Sequence, residues 1–148
     1  METSEKQSLE YKKYRQDRSK KLRPKSNNDY VFVYGSLKST GSNHHVLHFD
    51  QYALFIGPFF LPGFKMYDDG DRAIIVPSHF RSDVVHGELY QILNPKLKRD
   101  ILKWEESGKY TPIEIKVKDL GNVLVFIRKH VPLKARGKRI KSGVWTKK

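Results

Sequence analysis

Apolar and polar positions divide the chain unevenly. Between Met1 and Asn28 the only large apolar residues are Met1, Leu9, Tyr11, Tyr14 and Leu22, too few to offset the entropy of ordering the backbone. Residues 1–28 are therefore expected to form a disordered basic arm. The helical spacing of Glu10 and Tyr14, with no Gly or Pro nearby, permits a helical turn or two over 9–18. From Asp29 the pattern changes. Tyr30-Val31-Phe32-Val33-Tyr34 is a β-branched and aromatic run with Asn27-Asn28-Asp29 before it and Gly35-Ser36 after it, which predicts a buried strand feeding a tight turn. Further strands are predicted over 52–57, 73–77, 84–93, 113–120 and 122–129, with turns at Pro62-Gly63 and Asp69-Gly70. The last two strands join through Leu120-Gly121 as a hairpin. Asn43 is placed to cap a short helix over 44–48. The clearest helix follows Asn94: Pro95 takes the first helical position, Leu97, Ile101, Leu102 and Trp104 are apolar, and Gly108 ends it.

Short strands with one or two helices predict an α+β, mainly β fold: a small mixed β-barrel with helices packed outside. The 148 residues suffice for one hydrophobic core, so a single domain is expected over 29–148. With no cysteine in the chain, disulfides, thiolate metal sites and a thiol nucleophile are excluded. No apolar stretch approaches the roughly 20 residues of a membrane span, and the N-terminus lacks the apolar core of a signal peptide. A cytoplasmic protein without membrane contact is the expectation. The net charge of +13 attracts polyanions and disfavours association between like surfaces, so a monomer or weak dimer is expected. The charge is concentrated between Lys12 and Lys25 and again between Lys134 and Lys148. With Tyr11 and Tyr14 available to stack on bases, a nucleic acid or another polyanion is an alternative partner.

Candidate chemistry sits at two places. The turn Tyr34-Gly35-Ser36-Leu37 leaves a buried strand with a Gly that frees the backbone to bend. Successive backbone N–H groups in such a turn can form a nest for a carboxylate or an oxyanion. On the 95–107 helix, at about 100° per residue, Glu105 projects between Ile101 and Leu102, inside the apolar sector. Desolvation raises the pKa of a carboxylate placed there, which suits a general acid/base near neutral pH. The plain alternative is a helix-end Glu reaching back to solvent. Glu106 projects to the edge of the sector. His44, His45 and His48 have an HHxxH spacing but no obvious third ligand, so no metal is expected. Glu88 is expected on the outward face of its strand or paired with a Lys. Asp68, Asp69 and Asp71 are expected to bond local backbone in a turn.

Taken together these residues resemble a known family. Tyr34-Gly35-Ser36-Leu37 after a strand, Asn43-His44, Pro62-Gly63 followed by Met66-Tyr67-Asp68, Val85-His86-Gly87-Glu88-Leu89-Tyr90, a late Glu followed by Tyr110, and the closing Ile140-Lys141-Ser142-Gly143-Val144-Trp145 stand in the order typical of the γ-glutamylcyclotransferase-like (AIG2-like) family. The resemblance implies a small mixed barrel with flanking helices. It also implies cyclisation of a small γ-glutamyl substrate into 5-oxoproline with release of the attached amine and without a cofactor. Substrate binding would fall to Tyr34, Gly35, Ser36 and Leu37, and acid/base catalysis to a Glu ending an L-D-x-x-E pattern. Ile101 takes the Leu place if that residue is Glu105; the register with Glu106 puts Leu102 there and Lys103 at the Asp place. Tyr110 is a candidate wall of the same pocket, or a core residue.

Overall fold

The computed structural model describes residues 29–147; the basic arm and its helical turn lie outside them. β1 (Tyr30–Val33) has no polar residue. Alternate side chains of a strand point to opposite faces, and here Tyr30 and Phe32 join one apolar cluster while Val31 and Val33 join another. Both faces of the strand are covered, which is why its apolar run is continuous rather than alternating. β1 pairs antiparallel with β5 (Val84–Ile92) and parallel with β7 (Gly121–Ile127). With β2 (Ala53–Pro62) and β6 (Thr111–Val117) they form a mixed five-stranded sheet ordered β2-β5-β1-β7-β6. β2 lies at its edge, the position where a strand accommodates Pro58, since proline cannot donate to a second neighbour.

The second sheet places β3 (Phe64–Asp68) between β4 (Ala73–Pro77) and β8 (Arg139–Ile140). Phe32, Leu89 and Val125 of the large sheet share a cluster with Met66 and Ile75 of the small one and with Trp145 from the C-terminal segment. On the other face, α2 (Pro95–Ser107) buries Leu97 and Ile101 in the cluster that holds Val31, Val33, Leu124 and Phe126. The helix begins as its sequence dictates, with the Asn94 side chain accepting from the Lys96 N–H at 2.9 Å. The mainly β fold with a helix packed outside is therefore present. Its sheets are two separate ladders, however, and not the closed barrel expected: after β2 the backbone turns at Gly63, where φ is +86°, and β3 pairs within the second sheet. Single bonds such as Arg128 N–H to Ile75 O, 2.9 Å, tie the ladders together.

The helix expected over 44–48 is instead a succession of turns, and a four-residue helix, α1 (Phe49–Tyr52), follows it. His48 has left-handed backbone angles, φ 59°, and the Asn43 side chain donates to Ser36 Oγ at 2.7 Å rather than capping a helix.

Gly87 stands where β5 crosses β1. A Cβ there would lie 2.4 Å from the Val33 carbonyl oxygen and 2.6 Å from the Phe32 ring, both at the centre of the molecule. Gly87→Ala is expected to cost about 3 kcal/mol of stability through overpacking. An unchanged urea midpoint in that variant would contradict this packing.

Candidate functional site

Where β1 ends, the chain leaves the sheet as Tyr34-Gly35-Ser36-Leu37. The carbonyls of this turn are engaged: Gly35 O accepts from Lys38 N–H at 3.0 Å and Ser36 O from Asn43 N–H at 2.9 Å. Leu37 O lies 2.9 Å from His44 Nδ1, which must carry the proton because a carbonyl only accepts. The N–H groups of Gly35, Ser36 and Leu37, by contrast, meet no protein acceptor among the described residues. Three consecutive amides without partners leave this turn with donors available to an anion, as backbone N–H groups in a turn can be. The loop is tied from below, as Glu88 on β5 accepts from Ser39 N–H at 2.6 Å, Ser39 Oγ at 2.7 Å and Tyr90 OH at 3.0 Å. Glu88 thus anchors this loop rather than simply facing outward or pairing with a Lys. Lys38 Nζ donates to Trp145 O at 2.9 Å, linking the loop to the C-terminal segment.

A cavity of about 350 Å³ lies beside the turn, lined by Tyr34, Gly35, Ser36 and Leu37 on one side and by Arg72, Trp104, Glu105, Gly108 and Tyr110 on others. The residues singled out from the sequence for binding, together with Glu105 and Tyr110, thus share one cavity. Glu106 is exposed and does not line it. Helix spacing explains the difference, since Leu97, Ile101 and Glu105 are four apart and occupy one face of α2. Burial pushes the Glu105 carboxyl up to about 7, with the Arg72 charge pulling back the other way.

Both tyrosines are fixed in the wall. Tyr34 OH donates to Phe126 O at 2.6 Å, and Tyr110 OH to Ala73 O at 2.6 Å. Burial raises both phenols far above their ordinary range, so neither supplies an anionic base near neutral pH. Gly35 does not need a positive φ, and a Cβ on it would make an ordinary 3.5 Å contact with Ala73; the freedom to bend is not what this turn takes from glycine.

Sequence reasoning passed over Arg72 and read Asp71 only as a turn carboxylate, yet both enter the cavity wall from the loop between β3 and β4; Trp104, read as one of the helix's apolar residues, also lines the cavity and is 37% exposed. Gly108 does more than end the helix: a Cβ there would lie 2.8 Å from Arg72 Nη1, so the missing side chain leaves room for the guanidinium. Of the turn carboxylates, Asp68 accepts from Gly70 N–H at 2.7 Å, whereas buried Asp69 pairs with Arg72 and Lys134, each at 3.4 Å. His44 is buried and stacks on Phe49; no cluster of three or more potential metal ligands occurs among the described residues. Part of the C-terminal charge is neutralised internally, since Lys134, Arg139 and Lys147 pair with Asp69, Asp83 and Asp68. Among the described residues no helix is long and apolar enough to cross a membrane.

The sequence model of the family described as gamma-glutamyl cyclotransferase, AIG2-like, matches residues 31–147. Among solved structures, an uncharacterised protein of Pyrococcus horikoshii is 25% identical, with 78% of this chain and 87% of that one covered and a TM-score of 0.62. Escherichia coli YtfP is 28% identical over 78% of this chain and 95% of its own, with a TM-score of 0.59. An AIG2-like protein of Mus musculus shares the fold at 20% identity, covering 76% of this chain and 85% of that one, with a TM-score of 0.58. A search of curated proteins finds no match. The family match takes in the Tyr34–Leu37 turn, the helix that carries Glu105, and the closing segment through Trp145, and the chain belongs to the gamma-glutamyl cyclotransferase, AIG2-like family.

Proposed function

We propose that this protein cyclises a γ-glutamyl amine to 5-oxoproline and releases the amine, with Glu105 as general acid/base. One observation carries the reading: a half-buried carboxyl whose pKa is raised to about 7 shares a cavity with three backbone amides that have no protein acceptor among the described residues. The substrate's α-amine nitrogen attacks its own δ-carbonyl carbon, forming the ring C–N bond and an oxyanion. Glu105 takes a proton from that nitrogen. The bond to the departing nitrogen then breaks as Glu105 returns the proton to it, and the carbonyl re-forms. Atoms balance without water, oxidant or metal. The amides of Gly35, Ser36 and Leu37 suit either the oxyanion or a substrate carboxylate. A carboxyl poised near 7 is well matched to both proton transfers, because its two forms are comparably populated at neutral pH.

The test is incubation of the protein with γ-glutamyl amino acids, γ-glutamyl-ε-lysine and γ-glutamyl alkylamines, with 5-oxoproline detected by mass spectrometry. Turnover of at least one member is expected. If none yields 5-oxoproline, the family membership stands and the cyclotransferase reading does not.

A further inference from the structure

Among the described residues lining the cavity, Arg72 is the only cation; Asp71 and Glu105 are the anions. Three contacts fix its guanidinium. Nε donates to Asp69 Oδ2 at 3.4 Å, the guanidinium carbon lies 5.5 Å from the centre of the Tyr110 ring, and Nη1 occupies space that a side chain on Gly108 would enter, 2.8 Å from where its Cβ would stand. Asp69 is itself buried, faces Lys134 at 3.4 Å, and donates its backbone N–H to Arg72 O at 3.0 Å, so backbone and charge together place the anchor beneath Arg72. The two Nη groups donate to no protein acceptor among the described residues, and the only ion pair of Arg72 among them is with Asp69. Its attraction for Glu105 therefore acts beyond ion-pair distance.

A guanidinium tied at Nε, laid against an aromatic ring and free at both Nη groups is a pre-ordered fork for two parallel hydrogen bonds to a carboxylate. Part of its side-chain freedom is already given up before it binds. We infer that Arg72 is a carboxylate receptor in the cavity wall, acting beside the Gly35–Leu37 amides, and that it selects substrates bearing a carboxylate at that point. For the identity of the substrate this rests on the cyclotransferase reading; the anion site itself does not. Two sources of the carboxylate fit the chemistry. Every γ-glutamyl amine carries one on its α-carbon, and a γ-glutamyl α-amino acid carries a second on the departing amine, which a polyamine or alkylamine adduct lacks. Recognition also has an electrostatic consequence: a carboxylate bound beside Glu105 and Asp71 would be repelled if Arg72 did not neutralise it.

The experiment uses probes that cannot cyclise because they lack the α-amine. Glutaryl-alanine carries both carboxylates, glutaryl-ethylamide keeps one, and N-ethylglutaramide has none. Their binding to the full chain, Arg72→Gln and Arg72→Lys is measured by calorimetry, with the thermal midpoint of each variant recorded. Arg72→Gln is expected to weaken glutaryl-alanine by about tenfold to a hundredfold, and Arg72→Lys to recover only part, because an ammonium restores charge without the fork. Weakening of both charged probes assigns the fork to the glutamyl side; weakening of glutaryl-alanine alone assigns it to the departing amino acid. The inference is overturned if Arg72→Gln binds both as the parent does, if the parent binds neither, or if the uncharged diamide weakens equally, which would mark a structural role. None of these readouts requires turnover, so an inactive protein that loses glutaryl-alanine binding in Arg72→Gln would sink the enzyme reading and keep the receptor.

Discussion

Glu105→Gln is expected to lower turnover by about a thousandfold and, at pH 8, to leave the protein more stable than the parent. The first effect follows from removing the group that both accepts and returns the proton, a role worth about 10²- to 10⁴-fold. The second follows from the cause of the raised pKa. The Glu105 carboxyl sits at about 7 in the fold against 4.5 ordinarily, because burial penalises the charged form. Between those values the native protein holds a proton that the unfolded chain has released, so stability falls as pH rises through this window. The contribution of the neutral acid is fully present below about 4.5 and is lost as pH passes 7. The gap is worth about 3 kcal/mol at most, and about 2 kcal/mol once partial exposure is allowed for. Glutamine carries no charge at any pH, so urea unfolding at pH 5 and pH 8 should find parent and variant similar at the lower value and the variant ahead at the higher. Parent turnover should rise as pH passes through about 7, where the carboxylate becomes available as base. Glu106→Gln, exposed and outside the cavity, should leave turnover within about twofold; an inactive Glu106 variant beside an active Glu105 variant would reverse the assignment.

How much of this was legible in the sequence depends on how local each cause is. The YVFV strand, the Asn94-Pro95 start of α2 and its end at Gly108 were all readable, because caps, proline and β-branched runs act within a few residues. The position of Glu105 in the cavity wall was readable for the same reason: helix periodicity fixes its direction once Leu97 and Ile101 are known to be buried. β3 and β8 were not, since FKMYD and a two-residue strand carry little pattern and become strands by pairing with β4 and with each other. Nor was closure of the sheets, which depends on where Gly63 redirects the chain. Arg72 lies two residues beyond the expected Asp69-Gly70 turn, where no local pattern singles it out. Its significance comes from Asp69, Gly108 and Tyr110, two of them distant in sequence. Gly87 offered a signal that was there to be used, as a glycine inside a strand often marks the close approach of another backbone.

Gly41→Ala is expected to cost about a hundredfold in kcat/KM while lowering stability by only about 1–2 kcal/mol. A Cβ on Gly41 would lie 2.1 Å from Ser36 O, 2.4 Å from its carbonyl carbon and 2.6 Å from its Cα, all backbone atoms that no rotamer change relieves. One of the two segments must move. Ser36 is held by Asn43 through its carbonyl and its hydroxyl, and Gly41 by its N–H to Lys38 O at 2.8 Å, so the displacement is shared across the loop that presents the Gly35, Ser36 and Leu37 amides. Misplacing preorganised donors by about 1 Å is enough for a loss of that size. The fold loses less, because the loop lies beyond the end of β1 and outside both sheets. Gly87→Ala supplies the contrast, since its clash falls on Val33 and Phe32 in the centre of the large sheet. Turnover and urea midpoint measured on the two variants should therefore separate, Gly41→Ala losing mainly activity and Gly87→Ala mainly stability. Full activity in a folded Gly41→Ala protein would mean that the amide turn takes no part in binding or catalysis.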